Sequence, residues 1–89
     1  MVVNRQKKKW YVYILRCNDD SLYTGVTTDP VRRETEHNQA SVGAKYTKMR
    51  RPVKIVYQET AKDRSSAQKR EAILKKMPRS HKLTLIDKK

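Results

Sequence analysis

Arg33 and His37 stand four residues apart in the stretch TTDPVRRETEHN, so on a helix they share one face. Arginine offers a planar fork that pairs with two phosphate oxygens, and histidine can take or give a proton near neutral pH without special tuning. Such a face suits phosphate chemistry; it equally suits a solvated helix surface on which Glu34 and Glu36 serve as local ion-pair partners. Glu71 lies in AQKREAILKK, where Ala67, Arg70, Ile73, Leu74 and Met77 recur as an inward stripe. At about 100° per residue its carboxylate points toward that apolar side. Desolvating an ionised carboxylate costs several kcal/mol unless a cation or donors compensate. A salt bridge to Arg70, Lys75 or another surface cation is one answer. A divalent metal is the other, since Mg²⁺ needs only one or two protein carboxylates when phosphate and water complete its shell. Tyr13 and Tyr23 fall on adjacent strands and face one side only if an odd number of residues sits in the loop between paired positions; cross-strand aromatic packing is the plainer use of them. Gly25, inside a strand, marks a bulge or the close approach of another group.

The elements that must carry these residues follow from pattern. WYVYILRC, residues 10 to 17, is β-branched and aromatic with almost no polar interruption, as expected of a central strand buried on both faces. Asn18, Asp19, Asp20 and Ser21 tolerate turn geometry and return the chain into a second strand, Leu22 to Val26. Asp29-Pro30 opens a helix to about Asn38, with Asp capping free N–H groups and Pro at the first helical position. Gln39 to Arg51 shows no clean period and reads as a loop carrying Gly43, Lys45, Lys48, Arg50 and Arg51. Pro52 precedes VKIVY, a third strand by its alternation. Ser65 and Gln68 resemble a capping box for a helix from about Ser66 to Met77, closed by Pro78, and a last short helical turn spans Ser80 to Ile86. Residues 1–9, MVVNRQKKK, read as a basic flexible arm, 10–86 as the folded domain and 87–89 as a tail.

Composition narrows the partners. A chain of 89 residues holds one domain, and 36% hydrophobic residues allow one small core. Its 22 Lys and Arg against 9 Asp and Glu leave a net charge of +13, with an isoelectric point near 10.2. Clustered cations on a small domain are the electrostatic footprint of nucleic-acid binding. No long amphipathic helix with a bulky apolar face argues for a membrane surface instead. The longest apolar stretch, Trp10 to Leu15, has six residues where a membrane span needs about 20. Arg16 and Cys17 follow it at once, unlike a signal peptide. A lone cysteine, Cys17, excludes an internal disulfide and a cysteine-built zinc site, and fits the reducing cytoplasm.

Taken in order, these residues resemble the GIY-YIG nuclease family, in particular its small single-domain bacterial members. The first signature tripeptide falls on Tyr11-Val12-Tyr13 and the second on Tyr23-Thr24-Gly25; Arg33, His37 and Glu71 match the family's arginine, its histidine or tyrosine, and its metal-binding glutamate. GAKYTKMRRP, Gly43 to Pro52, is similar to a stretch of the small members. Tyr11 replaces a glycine, Asp20 stands where a turn glycine is common, and no asparagine follows Asn38, whereas many members place one after the glutamate. The resemblance implies an α/β (α+β) domain, a three-stranded antiparallel sheet flanked by helices in the order β-β-α-β-α-α. It further implies phosphodiester hydrolysis with one divalent metal, Mg²⁺ or Mn²⁺. Tyr13, Tyr23, Arg33 and His37 are then catalytic, Glu71 holds the metal, Gly25 positions the backbone, and Lys45, Lys48, Arg50 and Arg51 contact nucleic acid, with DNA favoured. Recognition domains joined to this one elsewhere in the family leave room here for a targeting partner protein. Two other readings stand beside it: a nucleic-acid-binding module with weak or no catalysis, and a basic structural RNA-associated protein.

Overall fold

The computed structural model describes residues 9–39 and 45–88; the basic arm read over 1–9 lies outside them except for Lys9, as do Gly43 and Lys89. Seven elements follow in order: β1 (Trp10–Arg16), β2 (Leu22–Thr27), α1 (Pro30–Asn38), α2 (Lys45–Lys48), β3 (Lys54–Ala61), α3 (Arg64–Lys76) and α4 (Arg79–Lys88). The strands form one antiparallel sheet in the order β2-β1-β3. β1 is central, as its unbroken apolar run requires, and Val12, Tyr13, Ile14 and Leu15 are all buried. Alternation sends Tyr13 and Leu15 to one face, where they pack with Cys17, Val53, Tyr23 and Ile55. Val12 goes to the other, against Ala67 and Leu74 of α3 with Trp10, Val26, Met77 and Leu85 around them. Each fully buried aliphatic side chain contributes on the order of 1.5–3 kcal/mol, so a core this small depends on both faces being covered.

Five residues, 17–21, link the paired ends Arg16 and Leu22. In this turn the Cys17 N–H donates to Ser21 O and the Asp20 N–H to Cys17 O, each at 2.9 Å. The Asp19 carboxylate accepts from Ser21 N at 3.0 Å and Ser21 Oγ at 2.6 Å. Asp20 has φ of 67°, the left-handed region that disfavours a Cβ, and aspartate is among the few side chains that enter it readily. The position is therefore one where glycine is intrinsically better. Asp20→Gly is expected to raise stability by about 0.5–1 kcal/mol, read as a higher urea midpoint with unchanged slope.

α1 begins as its sequence requires, with the Asp29 carboxylate accepting from Arg32 N at 3.2 Å and Pro30 in the first turn. Its inner side then fixes β3. Asn38 Nδ2 donates to Val53 O at 3.0 Å while Val53 N donates to Asn38 Oδ1 at 2.8 Å, and Ile55 N donates to Glu34 at 2.7 Å. β3 carries an irregularity, because Ile14 pairs with Tyr57 and Leu15 with Ile55, leaving Val56 outside the ladder.

The structure departs from the sequence expectation at several points. α2 is a helical turn inside the stretch read as loop; four residues carry no period, and tertiary contacts hold it. α3 is capped two residues earlier than the Ser65 signal implies, by Asp63, whose carboxylate accepts from Ser66 N at 2.8 Å. Of its expected stripe, Ala67 and Leu74 are buried, while Ile73 is 52% exposed and Arg70 turns aside to Glu59 at 2.8 Å. β3 also runs on to Ala61, and α4 continues through Lys88, past the end expected at Ile86.

Candidate active site

Register assembles the first part of the site. Tyr13 lies opposite Gly25 and Leu15 opposite Tyr23, and directly paired residues share a face, so both tyrosines stand on the side that carries α1. The five-residue turn meets the odd-number condition. Gly25 is required by close approach: a Cβ there would sit 2.5 Å from the Tyr13 hydroxyl and 2.7 Å from Cζ of its ring. The phenol is buried and bonded at its far end, so it has little freedom to give way. Gly25→Ala is expected to cost about 1–3 kcal/mol by overpacking and to push the Tyr13 hydroxyl off its partner; chemical denaturation and the His37 ring resonances would report both. At Tyr11 the backbone is ordinary strand and the side chain half-buried, so nothing there calls for the family's glycine.

α1 supplies the second part. His37 is wholly buried, with Nε2 2.9 Å from the Tyr13 hydroxyl and Nδ1 2.8 Å from Thr47 Oγ1. Its ring also meets Tyr23 edge to face at 5.2 Å between centroids. Burial, and then the positive charge of Arg33, hold the His37 pKa down to about 4, so the ring is neutral at pH 7. Burial likewise pushes Tyr13 up to about 12, with Tyr23 and Glu71 adding to the rise and Arg33 opposing it. Arg33 exerts its positive charge on the phenol and donates to Glu36 at 2.9 Å. Burial works against its charge, yet Glu36 and Tyr13 leave its pKa above the usual arginine value.

α2 adds two residues that the sequence reading did not single out. Tyr46 stacks on Tyr23 at 5.8 Å and 28°, with the Arg50 guanidinium 4.0 Å from its ring centre. Arg50 is itself fastened to Asp19 of the β1–β2 turn at 3.1 Å, and its Nη1 donates to Tyr46 O at 2.9 Å. Arg51 donates to the His37 carbonyl at 2.7 Å and to the Gln39 carbonyl, satisfying the open end of α1. Of the four cations expected to meet nucleic acid, two are thus engaged within the protein, while Lys45 and Lys48 are exposed. The available signal for Tyr46 was an aromatic among cations; Thr47 had none, because its role depends on a contact ten residues away in sequence.

Glu71 approaches from α3. It is half-buried, its Oε2 lies 3.4 Å from Lys75 Nζ, and its charge is felt at the Tyr13 phenol. The Lys75 contact is one of the salt bridges its sequence position allowed. Tyr13, Tyr23, Arg33 and His37 therefore gather at one place, with Gly25 beneath the Tyr13 ring and Glu71 within electrostatic reach.

The GIY-YIG catalytic domain model matches residues 9–84. The chain belongs to the GIY-YIG family. Relatives of the same kind are close: a UPF0213 protein of Syntrophus aciditrophicus is 55% identical over 78 residues, covering 88% of this chain and 90% of its own length. Another, from Staphylococcus haemolyticus, is 51% identical over 81 residues, covering 91% and 98% respectively. Two solution NMR structures share the fold. A UPF0213 protein from Bacillus halodurans aligns at TM-score 0.58 and 40% identity over 91% of this chain and 85% of its own. A protein from E. faecalis aligns at 0.61 and 44% over 92% and 86%.

GIY-YIG domains are typically nucleases, and those nucleases generally use a divalent metal. Among the described residues no group of three or more His, Cys, Asp and Glu side chains could enclose an ion. The donor set nevertheless fits the sparse shell that Mg²⁺ takes beside a phosphate, which asks for one carboxylate and leaves the other positions to water and substrate oxygens. Glu71, held only loosely by Lys75, is the residue that would supply that carboxylate. No helix among the described residues is long and apolar enough to cross a membrane.

Proposed function

We propose that this GIY-YIG chain hydrolyses phosphodiester bonds, with DNA as its substrate, Glu71 as the holder of one Mg²⁺ or Mn²⁺, and the cytoplasm as its place of action. The observation that carries this reading is the hydrogen bond from Tyr13 to His37, with the charges of Arg33 and Glu71 both acting on the phenol. The net charge of +13 supports a polyanionic substrate. When bound, the metal supplies charge stabilisation on phosphate oxygens.

The chain's own residues do the rest. Tyr13 is 1% exposed, while the Arg33 side chain beside it is 29% exposed. A phosphate taken by the Arg33 fork draws the guanidinium outward and opens the phenol to a water molecule. Attack at phosphorus forms a new P–O bond and breaks the one to the leaving sugar oxygen, which takes its proton from solvent. The water's proton passes to the Tyr13 oxygen as the phenol's own proton passes to His37 Nε2. A phenol with a pKa of about 12 is a poor reservoir of phenolate, and the paired transfer avoids needing one. Arg33 is the second cause of the low His37 pKa, so neutralising it with phosphate raises the basicity of His37 when substrate is present. Tyr23, wedged between His37 and Tyr46, keeps the imidazole upright.

Incubating the full chain with single-stranded, duplex and branched DNA and with RNA, in Mg²⁺ or Mn²⁺, tests the proposal. Glu71→Gln is expected to lower cleavage at least about 10²-fold with binding retained. Cleavage undiminished in that variant would overturn the assignment.

A further inference from the structure

α2 is a single turn, too short to persist by itself, yet two consecutive side chains of it enter the site: Tyr46 against Tyr23 and Thr47 against His37. Thr47 is wholly buried, and its Oγ1 lies 2.8 Å from His37 Nδ1. The opposite ring nitrogen lies 2.9 Å from the Tyr13 hydroxyl. A neutral imidazole carries one N–H and one lone pair, so the ring donates one of these two hydrogen bonds and accepts the other.

Donor accounting at the phenol decides which. The phenol's own proton sits in an enclosed place, where leaving it without an acceptor is expensive. Among the described residues the acceptor bonded to it is His37 Nε2. Tyr13 therefore donates to Nε2, the ring keeps its proton on Nδ1, and Thr47 Oγ1 accepts that proton. We propose that Thr47 is a positioning residue which holds His37 as the Nδ1–H tautomer, leaving Nε2 to receive the proton of Tyr13. Its consequence for cleavage rests on the nuclease reading above; the tautomer itself does not.

The experiment is a long-range ¹H–¹⁵N correlation of the imidazole rings in the full chain, paired with single-turnover cleavage of duplex DNA. Wild type is expected to show His37 protonated at Nδ1. Thr47→Val keeps the side-chain shape without the hydroxyl; it should lose the single tautomer and slow cleavage about tenfold, the effect of one missing hydrogen bond. Thr47→Ser should restore both. An Nε2–H ring in wild type overturns the proposal, as does a folded Thr47→Val chain with the wild-type tautomer and rate. If Thr47→Val does not fold, the wild-type tautomer still decides, with Thr47→Ser as support. A chain that cleaves nothing but shows the Nδ1–H ring, lost in Thr47→Val, defeats the nuclease reading while leaving this one standing.

Discussion

Tyr13→Phe is expected to abolish nearly all cleavage while leaving the fold and DNA binding in place. The ring fills the space over Gly25 with or without its hydroxyl, so packing on this face of the sheet is preserved. What disappears is the oxygen bonded to His37, which in the proposed mechanism would pass the water's proton on to the ring. Loss of a positioned proton-transfer group lowers rates by about 10²–10⁴-fold, and single-turnover cleavage in Mg²⁺ or Mn²⁺ measures it. Fluorescence anisotropy with duplex DNA should stay within about twofold of wild type. The uncovered Nε2 of His37 makes Tyr13→Phe somewhat less stable, by about 1–3 kcal/mol, because a buried acceptor loses its donor. A phenylalanine variant that cuts at the wild-type rate would remove Tyr13 from the chemistry.

The second large effect is on stability in mild acid. His37 titrates near 6.5 in an unfolded chain and near 4 in the folded one. Between those values the unfolded state binds the extra proton, so stability is fully present above about 6.5 and is lost as pH falls toward 4. At 1.36 kcal/mol per pKa unit, moving from pH 7 to pH 5 removes about 2 kcal/mol. For a domain of this size that lowers Tm by about 10 °C. The carboxylates of Asp19, Glu36 and Asp63 are held below their ordinary values, so what they add is lost mainly below this window. Thermal melts of wild type and His37→Gln at pH 7 and pH 5 check the claim: the glutamine chain should lose much less. Equal losses would place the acid sensitivity elsewhere.

How much of this was legible beforehand depends on how local each feature is. The central strand showed itself because Val12 to Leu15 are apolar on both alternating sets, and α1 because Asp29-Pro30 marks a helix start in two residues. The shared face of Tyr13 and Tyr23 was legible as a condition on turn length, which the five-residue turn meets. α2 was not legible, since its stability comes from Thr47 on His37 and Tyr46 on Tyr23 and not from any period of its own. Spacing left Glu71 open between a salt bridge and a metal; its carboxylate meets Lys75, and its charge is felt at the phenol. Ile73 misled because the stripe on α3 is narrower than its apolar residues imply. The cationic series 45–51 looked uniform on paper, yet its arginines found acceptors inside the molecule.

That last division bears on how the chain would move along the nucleic acid proposed as its substrate. Arg50 is locked to the turn and Arg51 to the end of α1, leaving the ammonium groups of Lys45 and Lys48 on this rim facing solvent. An ammonium on a four-carbon stem is a hydrated point charge, indifferent to which phosphate it meets, whereas a guanidinium fork locks onto one. If the proposed nucleic-acid substrate is right, such a rim would favour rapid one-dimensional diffusion, with dwell times set by ionic strength and hardly at all by base sequence.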